Sequence, residues 1–254
     1  MKQLSRFVVV TRPEKESSAF IKSLEKLGVS VLSYPTITIA KNRLEKAFVQ
    51  DLKNLSSYDW IVFTSKNGVI FFIKALAEKG IDLSLLKTKH IGAVGIKTAE
   101  EIVKYHLPVS LIPEKFTTSD LAEELQEISG KKILLPRSDI ATPLLSIRLR
   151  EKGAYVTDIP IYQTRFVIPK PSKLTALVQN NRILCLTFTS PSTVEGFVQS
   201  MQKVKDKNTI LSLPVLSIGP VTTKKAVQEG FETIYTADIH TLEGMLTKFK
   251  ESIL

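Results

Sequence analysis

The sequence predicts an α/β fold made of two similar halves, each a parallel sheet covered by helices on both faces. Short Val- and Ile-rich runs alternate with helix-periodic segments of ten to fifteen residues. That is the pattern of strands buried on both faces, linked by crossover helices. The same landmarks also recur about 125 positions apart. The chain has 254 residues, 43% of them hydrophobic, which is enough apolar material for two cores.

The elements follow in order. "RFVVVT" (6–11) reads as a strand, and "EKESSAFIKSLEKLG" (14–28) as an amphipathic helix that Gly28 ends. "VSVLSYPTITI" (29–39) is extended, and a polar stretch with helical spacing follows it. "WIVFTS", "IGAVG", "VSLIP", "KILLPRS", "AYVTDIPIYQT", "ILCLTFTS", "VLSIG" and "FETIYT" are the further strand candidates. Between them "NGVIFFIKALAEKG", "KTAEEIVKYH", "TSDLAEELQEI", "TPLLSIRLREKG", "STVEGFVQSMQ", "VTTKKAVQEG" and "TLEGMLTKFKES" have helical periodicity.

Five pairs define the repeat. Arg12 and Arg137, Pro35 and Pro160, and Ser65 and Ser190 are 125 positions apart, whereas Gly95 and Gly219, and Thr98 and Thr222, are 124 apart. Five in order make a duplication. The spacing leaves open whether the halves fold one after the other or exchange a segment.

Composition narrows the function. With 35 Lys and Arg against 25 Asp and Glu, the formal charge is +10. That favours an anionic partner, or serves solubility alone. The lysines are scattered apart from local clusters such as "QKVKDKN" (202–208), and no aromatic residues interleave with them. A nucleic-acid platform or basic stripe is therefore not expected. No apolar run approaches a membrane span, the N-terminal run 7–10 is too short for a signal-peptide core, and Cys185 is the single cysteine. A cytoplasmic address is expected. Dinucleotide loop, phosphate loop, zinc helix and nucleophile elbow are all missing. The dispersed His90, His106 and His240 argue against a metal site, and no cofactor is expected.

What remains is a set of hydroxyl-bearing turns. Thr64, Ser65, Asn67, Ser190 and Ser192 lie where strands give way to helices, and Thr98 and Thr222 follow glycines. In parallel α/β sheets ligands bind at the carboxyl ends of strands, where helix N-termini favour anions. Alternatively, each of these residues is simply an N-cap, worth about 1 kcal/mol to its helix.

The chain resembles the uroporphyrinogen-III synthase family over nearly its full length. The resemblance rests on "VTRP" (10–13), "FTSKNGV" (63–69), "AVGIKTA" (93–99), "PEKFTT" (113–118), "LLPRSDIA" (134–141), "IPIYQT" (159–164), "FTSPSTV" (188–194) and "IGPVTTKKA" (218–226). Each motif is weak alone; eight in the family's order are specific. Thr223 stands where the family often has alanine, and His240 where tyrosine is common. The resemblance implies a discontinuous first domain, residues 1–35 with 166–254, and a second domain of residues 40–160. Strands 36–39 and 161–165 would form a two-stranded β linker, with a cleft between the domains.

The implied reaction removes water from hydroxymethylbilane and closes the ring with inversion of ring D, by way of an azafulvenium cation and a spiro intermediate. The product, uroporphyrinogen III, serves tetrapyrrole and heme biosynthesis. Tyr162, matching the family's cleft tyrosine, is the expected proton donor, with Thr222 second; otherwise Tyr162 is a half-buried strand residue with a wet tip. The expected substrate-binding set is Arg12, Thr64, Ser65, Asn67, Gly68, Gly95, Thr98, Arg137, Ser138, Ser190, Ser192 and Gly219. Arg12 and Arg137 either pair with propionates or cap neighbouring carbonyls. A monomer is implied, with transient handover of substrate from hydroxymethylbilane synthase and no nucleic-acid or membrane partner. The rival reading is a two-lobed, non-catalytic receptor for an anionic small molecule.

Overall fold

The structure, a computed structural model, describes residues 5–202, 204 and 207–254. In the basic run 202–208, Lys203, Lys205 and Asp206 lie outside the described residues. The first repeat supplies β1 (Phe7–Val10), α1 (Glu14–Lys26), β2 (Ser30–Ser33), β3 (Ile37–Lys41), α2 (Lys46–Lys53), β4 (Trp60–Phe63), α3 (Lys66–Glu78), β5 (His90–Ala93), α4 (Ile96–Val103) and α5 (Thr118–Glu124). The second supplies β6 (Lys132–Ser138), α6 (Leu144–Glu151), β7 (Tyr155–Phe166), α7 (Ser172–Gln179), β8 (Ile183–Phe188), α8 (Pro191–Ser200), α9 (Lys207–Leu211), β9 (Val215–Ser217), α10 (Pro220–Gln228), β10 (Ile234–Thr236) and α11 (Leu242–Ser252).

Two five-stranded sheets result, ordered β10-β9-β8-β1-β2 and β3-β7-β6-β4-β5. The pairings of β1 with β2 and β8, and of β6 with β4 and β7, are parallel. The duplication is visible in this order. If β1, β2, β8 and β9 are matched to β6, β7, β4 and β5, the two sheets follow one path. The repeats therefore exchange segments, because each sheet draws strands from both. The chain divides into two compact units, residues 1–38 with 165–254 and residues 39–164. It passes between them within β3 and within β7, which are neighbours in one sheet.

Burial explains why the strands read as continuous apolar runs. Val9 packs with Leu32, Phe188 and Phe197 on one face of its sheet, while Val8 and Val10 pack with Phe20, Leu24 and Phe249 on the other. Phe63 and Ile61 likewise face a cluster with Phe72, and Val62 faces Leu121 and Leu135. The α1 helix carries Glu14 and Glu16 in its first turn and Lys26 in its last, as the helix dipole favours. It ends at Gly28 with φ 80°, a left-handed position that suits glycine.

Two element readings need correction. "VSLIP" forms no named strand; Leu111 makes an isolated parallel bridge to Gly92, between prolines at 108 and 113. Pro113 has no N–H to extend a ladder. Helices α7 and α9 were not expected, although the buried Leu174, Leu177 and Val178 of α7 stand at helical spacing after Pro171. Among the described residues no helix is long and apolar enough to cross a membrane.

Candidate active site

In unit 39–164 the strand ends carry the following groups. After β4, Ser65 is extended (φ −161°, ψ 153°) and caps α3, its Oγ accepting from the Gly68 N–H at 3.0 Å. The same Oγ lies 3.0 Å from the Tyr162 hydroxyl. Tyr162 is buried, and its ring stacks on Phe71 at 5.6 Å. Gly68 is there for space, since a Cβ would sit 2.8 Å from the Pro136 carbonyl oxygen. Thr64 and Asn67 flank the cap, half-buried.

A bulge aims Tyr162. In the β6–β7 ladder Arg137 pairs with Pro160 but Ser138 pairs with Tyr162, so Ile161 is an extra residue. Ile161 and Tyr162 are consequently both buried, although neighbours in a regular strand point to opposite faces. Ser138 lies beside this bulge, with its Oγ 3.2 Å from Thr164 Oγ1. Arg137, also buried, donates to the Thr142 carbonyl at 2.7 Å and to Ser146 at 3.2 Å, and pairs with Asp158 at 2.6 Å. Its guanidinium braces the sheet.

Gly95 N-caps α4 without a side-chain cap, and Thr98 is buried one turn into that helix. No described residue hydrogen-bonds the Thr98 hydroxyl. Lys66, at the tip of "FTSKNG", pairs at 3.5 Å with the buried Glu101 of α4, which also pairs with Lys104 at 2.8 Å. The carboxylate holds the Lys104 ammonium above its ordinary pKa, through the hydrogen bond first and its charge second.

Unit 1–38 with 165–254 repeats the design with different side chains. Ser190 caps α8, accepting from the Thr193 N–H at 3.2 Å, while Thr193 Oγ1 accepts from the Ser190 N–H at 3.2 Å. This is a capping box with threonine as the returning residue. Ser192 Oγ lies 2.9 Å from Ser190 Oγ. Arg12 bonds Glu16 at 2.6 Å and Thr189 at 3.3 Å, but its buried Nε has no acceptor among the described residues. Gly219 opens α10; Thr222 is buried as a residue, and its hydroxyl, like that of Thr98, has no described partner.

Three features escaped the sequence reading. Thr189 steadies Arg12. Thr223 Oγ1 lies 2.6 Å from Ser217 and 2.7 Å from Thr236, a hydroxyl cluster at the end of β9. Finally, rings from Phe116 and His240 lie on the two helix-opening glycines. The repeat offset could have signalled the last, because 116 and 240 are 124 apart.

Fold and strand-end chemistry define a class: a two-unit parallel α/β protein offering hydroxyls and helix N-termini without side-chain caps at its strand ends. The sequence model described as "Uroporphyrinogen-III synthase HemD" matches residues 18–247. The chain belongs to the uroporphyrinogen-III synthase family. A "Putative uroporphyrinogen-III synthase" of Methanocaldococcus jannaschii is 30% identical, over 94% of this chain and 95% of that protein. The "Porphyrin biosynthesis protein HemD" of Ruminiclostridium josui is also 30% identical over 96% of this chain, which spans only 48% of that longer relative. In fold the chain is similar to a mutant uroporphyrinogen III synthase of Thermus thermophilus (TM-score 0.70, 22% identity, 97% and 98% of the two chains covered). It is also similar to the Helicobacter pylori synthetase (TM-score 0.63, 19% identity, 97% and 99% covered). These relatives do not favour the receptor reading.

Proposed function

We propose that the protein is a cyclising hydro-lyase that converts hydroxymethylbilane to uroporphyrinogen III, with Tyr162 as proton donor and the strand-end turns as carboxylate holders. The observation that supports this best is the 3.0 Å contact between the Tyr162 hydroxyl and Ser65 Oγ at the opening of α3. Ser65 Oγ already accepts from Gly68, so its own proton can be donated to the Tyr162 oxygen. In this reading the phenol O–H is the donor to the departing hydroxyl. Breaking the C–O bond with proton transfer from Tyr162 releases water and leaves the azafulvenium cation. Attack by the substituted carbon of ring D gives the spiro intermediate, which breaks and recloses with ring D inverted. The proton finally lost from the ring carbon returns to the phenolate, so the protein ends as it began.

The substrate's carboxylates suit the rest of the set. Thr98 and Thr222 have free hydroxyls next to uncapped helix N-termini, where backbone N–H groups favour an anion. At Arg12 a carboxylate would complete the orphaned Nε, a donor costly to bury unmade. Arg137, by contrast, acts from behind by holding β6 to β7. Because free bilane closes to the type I isomer, direct handover from hydroxymethylbilane synthase to a monomer in the cytoplasm completes the reading. The test is to generate hydroxymethylbilane in situ and separate the product isomers by chromatography. Type III should predominate with the protein present, and a ratio equal to the protein-free control would reject the proposal.

A further inference from the structure

The turns described above lie at the carboxyl ends of β4 and β5. The amino ends of the same strands, within unit 39–164, border a separate cavity of about 440 Å³, a volume that takes small-molecule ligands. Two rings line it. Trp60 and His90 are the first residues of β4 and β5 and pair across the parallel ladder. Their rings stack at 4.8 Å with planes 27° apart. Trp60, the only tryptophan of the chain, is half-buried and packs against the cluster that holds Leu121, Ile128 and Ile133. His90 is exposed, so Trp60 covers one face of the imidazole and leaves the other for a further planar group.

The backbone around this cavity is fixed in advance. Asp59, just ahead of Trp60, donates its N–H to the Lys132 carbonyl at 2.9 Å and accepts the Lys132 N–H on Oδ2 at 2.8 Å. Its carbonyl accepts the His90 N–H at 3.1 Å. One residue thus ties the starts of β4, β5 and β6 together. Two lysines of the lining bring positive charge. Lys89 Nζ donates to the Ser56 carbonyl at 2.7 Å, which leaves two of its three N–H groups. Lys131 Nζ stands 3.7 Å from Asp59 Oδ1, too far for a hydrogen bond. Glu127 lines the same cavity from a backbone at φ 53°, a left-handed conformation that costs a non-glycine residue energy. Its carboxylate has no partner among the described residues.

We infer that this cavity binds a purine nucleoside monophosphate. The base stacks on His90, the phosphate pairs with Lys89 and Lys131, and the ribose diol donates to Glu127. A bare phosphate would leave the rings unused, and an uncharged aromatic molecule would leave the lysines unused. The chain has no phosphate loop, so lysine side chains hold the anion. This inference stands apart from the reaction proposed above, because none of these residues belongs to the strand-end set.

Titration of tryptophan fluorescence with AMP, alongside calorimetry, tests the inference, because the only tryptophan lies in this cavity. AMP should quench saturably. Adenosine and ribose 5-phosphate each lack one part and should bind at least about tenfold more weakly. His90→Ala and Lys131→Ala should each raise the Kd for AMP about tenfold. Both should keep the parent thermal midpoint, because His90 meets Asp59 through its backbone N–H and Lys131 is exposed. AMP that gives neither quenching nor heat up to about 5 mM would overturn the inference. So would an unchanged Kd in Lys131→Ala, which would put the nucleotide elsewhere. Ribose 5-phosphate binding as tightly as AMP would also overturn it, since phosphate alone would then account for the binding.

Discussion

Tyr162 shows how much a single position owes to its surroundings. Its ring is fixed by Phe71 and its hydroxyl by Ser65, so Tyr162→Phe should fold normally while losing the proton donor. We expect kcat to fall by about 10²-fold or more with KM little changed, measured by initial rates of bilane consumption. Full activity would make Tyr162 a packing residue and Thr222→Ala the next variant to assay. Cys185 offers a second test. Burial pushes its thiol up to about 12 from an ordinary 9.0, so the folded state keeps a proton that the unfolded chain gives up. The linked stability is complete below pH 9 and is lost as the pH rises towards 12. At pH 10 the thiol's share of the loss should be about 1.4 kcal/mol, read as the part of the drop in urea midpoint from pH 7 that Cys185→Ala removes. A thiol in this state should also resist alkylation at pH 8 until the protein is unfolded.

At the scale of elements, Ser65 and Ser190 are both N-caps, so the cap reading and the substrate reading apply to the same atoms. Aspartate separates them, because it caps as well as serine yet carries charge. Ser190→Ala should lower stability by about 1 kcal/mol in urea unfolding. Ser190→Asp should keep stability near that of the parent and still weaken binding of a polycarboxylate. If Ser190→Asp retains the parent KM, the turn is a cap and nothing more. Gly68 sets a second constraint on α3. A methyl group there would press on the Pro136 carbonyl at 2.8 Å, backbone that cannot swing aside. Gly68→Ala should therefore displace the helix start and cost about 1–3 kcal/mol, with Tyr162 losing its partner as Ser65 moves.

For the whole molecule, the relevant quantities are charge and symmetry. A formal +10 should hasten capture of a polyanion at low salt, over about 8–10 Å of screening length at physiological ionic strength. KM should rise as salt is added while kcat holds; a KM independent of salt would remove the electrostatic role. Near-equal halves also imply that catalysis resides in their differences. Tyr162 corresponds to Ile37 by the 125-residue offset, and Thr223 to Ala99 by the 124-residue offset. The proposed proton donor and the hydroxyl cluster thus each exist once. Changing Ser65 with Asn67, or Ser190 with Thr222, to alanine should raise the type I fraction in either case, since ring D must turn over while other carboxylates stay held.

The α/β class, most elements and the duplication were legible in the sequence, because periodicity and turn residues are local and a repeat is a matter of counting. The motif order was enough for the resemblance that family membership now supports. The short "VSLIP" run misled, since apolar residues between prolines look like a strand until ladder partners are sought. The repeat spacing did not show the segment exchange, which only the resemblance implied, because which β-strand pairs with which depends on contacts far apart in the chain. The roles of Arg12 and Arg137 also waited on the fold. Both follow apolar strands at one offset, yet Arg137 meets Asp158 and a carbonyl while Arg12 keeps a buried N–H without an acceptor. The site's aim was likewise tertiary. One extra residue at Ile161 turns Tyr162 towards Ser65, and a β-bulge is a property of two strands together, which neither strand's sequence carries alone.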